Sequence, residues 1–384
     1  MRSFLAPAIV LAFLAVLFAV PASAARGDGS RQTFIVVLND SVAHASPVAA
    51  EHSRRFGADV QHVYEHALKG YAATVAEGDL GALLADSRVA SVERDAEVTT
   101  FATQTNATWG LDRIDQETLP LSTTFTYSNT GAGVTAYIID TGIRFDHSEF
   151  GGRAVSGFDA VDGGSADDCN GHGTHVAGTV GGSTYGVAKS VSLVAVRVLS
   201  CSGSGTTSGV IAGIDWVTEN HGAGQPAVAN MSLGGGASSS LDLAVRNSIA
   251  DGVSYAIAAG NGNIVGRHED ACKKSPARVT EAMTISATDR TDRKASWANY
   301  GNCVDWFAPG VGITSAWYTS DAATNTISGT SMATPHTAGV AALYLQSNPG
   351  AAPASVRTAL FNLTTKSTVT SSRTSNNHLL FTSY

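Results

Sequence analysis

The apolar residues in the longer, C-terminal part of this chain are grouped in short continuous runs, and stretches with helical spacing separate them. Short apolar runs without polar alternation are typical of strands that are buried on both faces. We predict strands at residues 134–139, 192–199, 227–232, 253–259 and 283–287. Helices are predicted at residues 172–181, 206–220, 239–250 and 331–345. This alternation predicts an α/β fold with a central parallel sheet and helices on both faces.

Residues from about 31 to 100 follow a different pattern and form a smaller unit. Strands are predicted at 33–38, 71–75 and 89–93, and helices at 52–63 and 77–85. The order β-α-β-α-β predicts a compact α+β domain. A polar, Thr-rich stretch at 98–107 follows it and predicts an exposed linker.

The first 24 residues resemble an export signal. Arg2 supplies a positive start, residues 4–20 are almost uncharged and apolar, and Ala22-Ser23-Ala24 matches a small-residue cleavage site. An uncleaved membrane anchor is the alternative, because the apolar run is nearly long enough to span a bilayer. Pro7 and the cleavage site favour a cleaved signal peptide, so we expect a secreted, extracellular protein with no membrane attachment after cleavage.

Composition narrows the range of partners. The chain has 384 residues, of which 43% are hydrophobic and only 15% are charged, so it can bury a sizeable core. The formal net charge is −8 and no basic stripe is visible, which argues against nucleic acid as a partner. We expect a monomer.

The chain contains four cysteines, at positions 169, 201, 272 and 303. An even number in an exported protein favours two disulfides, and four cysteines allow three pairings. Four buried free thiols are the alternative.

Three polar residues stand where a parallel sheet would gather them, beyond the carboxyl ends of its strands. Asp140 follows the strand at 134–139, His172 lies in Asn170-Gly171-His172-Gly173-Thr174-His175, and Ser331 follows Gly329-Thr330 at the start of a helix. An acid can orient a histidine, and that histidine can then remove the proton of a serine hydroxyl.

Each of these residues also has a simpler interpretation. Asp140 and Ser331 could be caps of a turn or a helix. His172 and His175 could bind a metal from one helical face, but no third His or Cys stands nearby with zinc-like spacing. Asn261, in Ala259-Gly260-Asn261-Gly262, could be a turn residue. Its side-chain amide could instead stabilise an oxyanion together with the N–H of Ser331. The order Asp, His, Ser along the chain and the presence of Asn261 favour a catalytic triad with an oxyanion hole.

The sequences around Asp140, His172, Asn261 and Ser331 closely resemble those of the subtilisin-like serine proteases, and within them the proteinase K-like group that includes aqualysin. The similarity extends from about residue 103 to residue 345. The resemblance implies peptide-bond hydrolysis through an acyl-enzyme intermediate. It also implies that an extended substrate peptide binds as a strand. The implied substrate-binding residues are Ser202, Gly203, Ser204, Gly205, Ser232, Leu233, Gly234, Gly235, Ala259 and Gly260.

After the signal peptide at 1–24, the resemblance implies an inhibitor-type propeptide at 25–101 and a catalytic domain at 102–384. The propeptide would act as an intramolecular inhibitor until the chain is cut between Phe101 and Ala102. Phe101 would then occupy the primary specificity pocket if the cut is autocatalytic. We therefore expect broad specificity towards proteins and peptides, with a preference for large apolar or aromatic residues before the scissile bond.

The same resemblance implies the disulfide pairs Cys169–Cys201 and Cys272–Cys303. It also implies one or two structural calcium ions and no catalytic cofactor. The first calcium site would use Asp305 and the main-chain carbonyls of Thr280 and Ala282. The second site would use Asp112, Asp115, Gln116, Ser122 and Thr124.

The stretch 264–274 departs from the family pattern, because it is longer and more charged. Lys273 and Lys274 stand where relatives have polar or aromatic residues beside the primary pocket. This departure leaves the specificity at the pocket rim open and could admit acidic side chains. Two other functions compete with the protease. One is a catalytically silent binding protein with a protease fold, and the other is a lipase or esterase. The complete triad and the peptide-binding segments argue against them.

Overall fold

The structure is a computed structural model that describes residues 31–95, 102–263 and 265–384. The predicted signal peptide, Phe101 at the predicted cut, and Ile264 lie outside the described residues. The chain forms two compact units that divide near residue 98.

The first unit is built on a four-stranded antiparallel sheet with the strand order β2-β3-β1-β4. Apolar residues of β1 such as Phe34 and Val36 form a separate small core with Tyr71, Val48 and Leu83. The strands are β1 Arg31–Leu38, β2 Asp59–Tyr64, β3 Gly70–Ala76 and β4 Val89–Arg94, and the helices are α1 Ala45–Phe56 and α2 Leu80–Leu84.

The predicted helix at 52–63 is wrong in its second half. Helix α1 ends at Phe56 because Gly57 adopts a left-handed conformation with φ of 63°, which glycine tolerates without steric cost. The next residues then form strand β2. The predicted helix at 77–85 is a short 3₁₀ turn, Glu77–Asp79, followed by α2.

The second unit is organised around a seven-stranded parallel sheet with the strand order β15-β14-β12-β10-β7-β9-β8. It has the predicted α/β architecture. In the part of this unit that the structure describes, three two-stranded antiparallel ribbons accompany the sheet. The strands are β5 Ala102–Thr105, β6 Thr124–Tyr127, β7 Thr135–Asp140, β8 Ala154–Asp159, β9 Ser192–Arg197, β10 Ala227–Met231, β11 Gly235–Gly236, β12 Ser254–Ala258, β13 Lys274–Ser275, β14 Met283–Thr288, β15 Trp306–Pro309, β16 Ile313–Ala316 and β17 Thr324–Ile327.

Helices cover both faces of this sheet. The helices are α3 Trp109–Ile114, α4 His172–Gly181, α5 Thr207–Asn220, α6 Ser239–Asp251, α7 Thr330–Ser347 and α8 Pro353–Leu363. Helices α4 and α7 pack in the apolar core on one face, and α5 and α6 pack in the core on the other. Because the strands are parallel, the ends of β7, β10 and β12 lie at the same edge of the sheet. The candidate residues meet at that edge.

Candidate active site

Asp140 and His172 form a direct pair at the edge of the sheet. Asp140 is the last residue of β7 and is fully buried, and its Oδ1 lies 2.7 Å from Nδ1 of His172 at the start of α4. Burial alone would lower the pKa of His172. The charge and hydrogen bond of Asp140, together with the charge of Asp168, outweigh burial and raise this pKa above its ordinary value. The bond also leaves Nε2 of His172 as the ring nitrogen free to accept a proton.

The loop before His172 is held by Asp168. Its Oδ1 accepts hydrogen bonds from the hydroxyl of Thr141 and from the main-chain N–H groups of Asn170 and Gly171, each 2.9 Å long. Its Oδ2 accepts two more from Thr174. One carboxylate therefore ties the end of β7 to the first turn of α4.

The close approach of α4 to β7 requires glycine at position 173. A Cβ atom on Gly173 would lie 2.1 Å from the carbonyl oxygen of Gly142. The main-chain N–H of Gly173 also donates to Thr141 Oγ1 at 2.9 Å. Any larger residue would push His172 away from Asp140.

Ser331 lies in the first turn of α7 and exchanges two hydrogen bonds with Ser232 at the end of β10. Ser331 Oγ donates to the carbonyl of Ser232 at 2.9 Å, and Ser232 Oγ donates to the carbonyl of Ser331 at 2.8 Å. The second bond has a local cause, because Pro335 has no N–H to donate to the carbonyl four residues earlier. Among the described residues, no hydrogen bond joins Ser331 to His172.

The orientation of the Asn261 side chain is set by Thr330. Asn261 Oδ1 accepts from the main-chain N–H of Thr330 at 2.8 Å and from its hydroxyl at 2.9 Å. An N–H donor requires oxygen as its partner, so the amide nitrogen Nδ2 is left free to donate elsewhere. Asn261 and Ser331 line the same cavity.

Asn299 supports the segment that carries Asn261. Its buried side chain donates to the carbonyl of Ala259 and accepts from the N–H of Gly262, at 2.8 Å and 3.0 Å. Its main-chain N–H donates to the carbonyl of Gly260. Nothing in the spacing of the sequence marked Asn299, Asp168 or Thr330 for these contacts.

Two cavities meet at this site and share one wall. The first, of about 380 Å³, includes Ser331 and Asn261, and the second, of about 540 Å³, includes His172 and the segment 202–205. The segment 232–236 lines both of them. The predicted substrate-binding residues Ser202, Gly203, Ser204, Gly205, Ser232, Leu233, Gly234, Gly235, Ala259 and Gly260 all lie in the walls of this continuous depression.

His175 has a different environment from His172. It is fully buried, and its Nε2 lies 3.0 Å from the carbonyl oxygen of Ile313. Burial lowers its pKa to about 4. In the part of the chain that the structure describes, no cluster of three or more His, Cys, Asp or Glu residues could hold a metal ion. The two histidines make different contacts, because Nδ1 of His172 pairs with Asp140 and Nε2 of His175 with the carbonyl of Ile313.

The structure contains the disulfides Cys169–Cys201 and Cys272–Cys303, and no described cysteine is free. The first bond joins the loop before His172 to the residue before Ser202. Asn170 strengthens that link, because its side chain donates to the carbonyl of Cys201 at 2.9 Å. Cys272 of the second bond lies two positions before Lys274 along the chain.

The residues of the second predicted calcium site lie close together. Asp112 Oδ1 accepts from the hydroxyl of Ser122 at 2.8 Å, and that hydroxyl lies 2.7 Å from Oγ1 of Thr124. Gln116 Oε1 accepts from the N–H of Ser122. Among the described residues, the buried Oδ1 of Asp115 has no hydrogen-bond partner. Burial, with a smaller contribution from the charge of Asp112, raises the pKa of Asp115 to about 6. A buried oxygen that has no hydrogen-bond partner and lies near other oxygen ligands is suited to bind a hard cation.

The first predicted calcium site fits a cation less well. Asp305 is buried and its Oδ2 accepts from the N–H of Thr284 at 2.8 Å, while its Oδ1 accepts from the guanidinium of Arg357. That ion pair already neutralises the carboxylate. Thr280 and Ala282 lie in the turn that precedes β14.

The chain matches two family profiles. The profile described as "Subtilase family" covers residues 131–379, and the one described as "Peptidase inhibitor I9" covers residues 33–101.

No helix among the described residues is long and apolar enough to cross a bilayer.

The proteins similar to the chain include two curated relatives and one solved structure. "Extracellular serine proteinase" of Thermus sp. (strain Rt41A) is 60% identical over 330 residues, which are 85% of this chain and 79% of the relative. "Alkaline serine exoprotease A" of Vibrio alginolyticus is 54% identical over 333 residues, which are 85% of this chain and 61% of the relative. The structure titled "Crystal structure of a cold adapted subtilisin-like serine proteinase" has 57% identity and a TM-score of 0.69. It covers 72% of this chain and 98% of the solved one.

Proposed function

Because the chain belongs to the subtilase family, we propose that Asp140, His172 and Ser331 are the catalytic triad of a secreted serine endopeptidase. The observation that carries this assignment is the 2.7 Å bond between Asp140 and His172, at the sheet edge where Ser331 opens a buried helix. Among the two alternatives, a silent binding protein would need a missing triad member, and all three are present. The chain is a subtilisin-like serine proteinase made as a precursor with an I9-type propeptide.

Catalysis begins when Ser331 Oγ turns from the carbonyl of Ser232 to Nε2 of His172. His172 takes the hydroxyl proton while Oγ attacks the carbonyl carbon of the scissile peptide bond. Asp140 keeps the other ring nitrogen protonated and stabilises the imidazolium. The Nδ2 group of Asn261 and the main-chain N–H of Ser331 donate to the oxyanion.

The attack of Ser331 Oγ gives a tetrahedral intermediate. Collapse of this intermediate gives an acyl-enzyme and frees the amine product. His172 returns its proton to the leaving amine, so the C–N bond breaks as an N–H bond forms. Water then attacks the acyl-enzyme, with His172 accepting one proton and restoring it to Ser331. The second product leaves as a carboxylic acid.

An extended peptide fits the depression between the segments 202–205 and 232–235. Glycines expose main-chain groups there, so the substrate can bind as an added strand. The cavity beside Ser331 has apolar walls that include Leu233, Ala258 and Ala277. This lining supports a preference for large apolar or aromatic residues before the scissile bond.

The precursor is processed between Phe101 and Ala102 in this proposal. The I9 match over 33–101 supports a propeptide that ends at residue 101. In this proposal a signal peptide at 1–24 precedes it. The extracellular proteinase among the relatives supports export. The propeptide then acts as an intramolecular inhibitor, and the mature enzyme comprises residues 102–384.

Structural calcium would be held by Asp112, Asp115, Gln116, Ser122 and Thr124. The unpartnered Oδ1 of Asp115 supports this site. The ion would neutralise the buried carboxylate of Asp112 and the half-buried one of Asp115, and it would stabilise the turn between α3 and β6 without entering the reaction. The group of Asp305, Thr280 and Ala282 stays a weaker prediction because Arg357 already pairs with Asp305.

A serine-directed phosphonate tests the triad. We expect labelling on Ser331 alone, in a chain whose first residue is Ala102, as read by peptide mass mapping. The variant S331A should accumulate as uncut precursor and take up no label. Labelling on another serine would contradict the assignment.

Calorimetry tests the calcium site. After chelation, added Ca²⁺ should raise the Tm of the inhibited enzyme. The variant D115N should lose most of that rise, whereas D305N should keep it. An equal rise in D115N and the unmodified enzyme would contradict the assignment.

A further inference from the structure

An ion pair lies at the wall of the cavity that holds Ser331. Lys274 lines this cavity, and its Nζ lies 2.6 Å from Oε2 of Glu269. The side chains of Lys274 and Glu269 are 32% and 34% exposed, so the ion pair is partly shielded from solvent but not buried. The wall of the cavity therefore includes a charged residue whose charge is already compensated by a residue beside it.

The main chain fixes both partners of this pair. Lys274 is paired with Gly236 in the ribbon of β11 and β13, and its carbonyl accepts from the N–H of Arg278 at 3.0 Å. Glu269 is anchored by its N–H, which donates to Asn299 Oδ1 at 2.7 Å, and by its carbonyl, which accepts from Tyr300. The pair is therefore a product of the fold, and a side-chain substitution can change its charge without releasing the loop.

The neutralisation of Lys274 by Glu269 affects which substrate side chains can bind in the cavity. A substrate carboxylate that approaches Lys274 must displace the carboxylate of Glu269 or accept its repulsion. An uncharged side chain meets neither cost. Glu269 thus keeps a pocket that contains a lysine open to uncharged residues.

We propose that Glu269 and Lys274 are specificity-determining residues, and that Glu269 neutralises Lys274 so that acidic residues before the scissile bond are disfavoured. Without the charge of Glu269, Lys274 selects glutamate at that position. This proposal rests on the proposed function, because it takes the cavity beside Ser331 as the primary pocket.

The test compares peptide anilides that differ only in the residue before the scissile bond. Glutamate and glutamine have nearly the same shape, so the ratio of their kcat/KM values isolates charge. In E269Q the glutamate-to-glutamine ratio should rise about fivefold at low ionic strength, the upper range for exposed ion pairs. Added salt should reduce this rise. In K274M the ratio should fall below that of the unmodified enzyme, because Glu269 is left unpaired.

Lys273 provides a matched control, since it carries the same charge, is the adjacent residue, is exposed and lies outside the walls of the cavity. The variant K273M should leave the ratio unchanged. The double variant E269Q/K274M should return the ratio close to that of the unmodified enzyme. If E269Q does not fold, as judged by thermal unfolding, K274M alone still decides the question.

Unchanged ratios in both E269Q and K274M, with normal cleavage after phenylalanine, would overturn the role of this pair and leave the protease function standing. Absence of cleavage after every residue by the unmodified mature enzyme would instead overturn the proposed function. The phenylalanine substrate therefore separates the two failures.

Discussion

Thr141 donates a 2.9 Å hydrogen bond to Asp168, and this contact connects the end of the strand that carries Asp140 to the loop that precedes His172. The catalytic acid and base come from separate elements, so their 2.7 Å contact depends on how these elements are held together. Asp168 makes this connection through both of its oxygens.

We expect D168N to weaken the pair of Asp140 and His172. An amide nitrogen in place of one oxygen cannot accept the hydrogen bonds of that oxygen, and the free energy of unfolding should fall by about 3 kcal/mol. Loss of the negative charge should also lower the pKa of His172 and move the acid limb of the kcat/KM profile to lower pH. If D168N loses stability but its acid limb does not move, the predicted effect of the Asp168 charge on the pKa of His172 is contradicted.

The variant D140N should lower kcat by about 10⁴-fold. Asparagine keeps the shape of the side chain but cannot hold the required tautomer of His172. The acid limb should again move to lower pH, because the charge of Asp140 raises the pKa of His172 in the unmodified enzyme. Steady-state kinetics across pH 4–9 on the mature enzyme would measure both effects. An unchanged kcat would rule out Asp140 as the triad acid.

The variant N261A should reduce kcat by about 10²–10³-fold with little change in KM. The donor that it removes acts on the oxyanion and contributes little to substrate binding. N263A is a suitable control, because Asn263 lies two residues further along the same exposed segment and outside the cavity walls. Equal losses in both variants would indicate a general disturbance of the segment.

The two disulfides should stabilise the protein to a similar degree but affect binding differently. Removal of either pair should cost about 3–4 kcal/mol on the chain-entropy account, because the closed loops have nearly the same length. Only C169S/C201S should also raise KM for long peptides, because Cys201 braces the segment at 202–205. C272S/C303S is the control for peptide length: because Cys272 is close in sequence to Lys274 in the cavity wall, any change in its KM should be the same for short and long peptides. Thermal unfolding and kinetics on peptides of increasing length would check this.

Acid should destabilise the mature enzyme between about pH 6.5 and pH 4. His336 is fully buried, and burial lowers its pKa to about 4, as it does for His175. Below pH 6.5 the unfolded chain binds protons at these residues that the folded chain does not bind. Each histidine should therefore remove about 3 kcal/mol of stability across this window.

Calorimetry of the phosphonate-inhibited enzyme would measure how steeply the free energy of unfolding changes with pH, because the inhibited enzyme cannot digest itself. An H336N variant should show a shallower dependence on pH. A slope that is equally steep in the variant would exclude His336 as its source.

The sheet and the pairing of Asp140 with His172 were predictable because both arise from local patterns. Continuous apolar runs specify buried parallel strands, and these strands must end at one edge. The disulfide pairs came from the family resemblance, since four cysteines allow three pairings. The assignment of the triad itself stays a prediction until it is tested.

The other features of the fold and the site depend on contacts that the spacing of residues in the sequence does not encode. Asp168 accepts five hydrogen bonds from four residues, which lie just after β7, in the loop before α4 and in the first turn of α4, and only the folded loop reveals that convergence. The strand β2 was missed because a single glycine ended the helix before it. The pairing of Arg357 with Asp305 joins residues 52 positions apart and alters the expected cation site.

The ribbon formed by Gly235–Gly236 and Lys274–Ser275 has a practical consequence for engineering. One strand belongs to the segment that would hold the substrate backbone, and the other belongs to the loop that borders the side-chain pocket. A graft that replaces only the loop would alter the alignment of the peptide as well as the choice of residue. Redesign of selectivity in this enzyme should therefore treat the two strands as one exchangeable part.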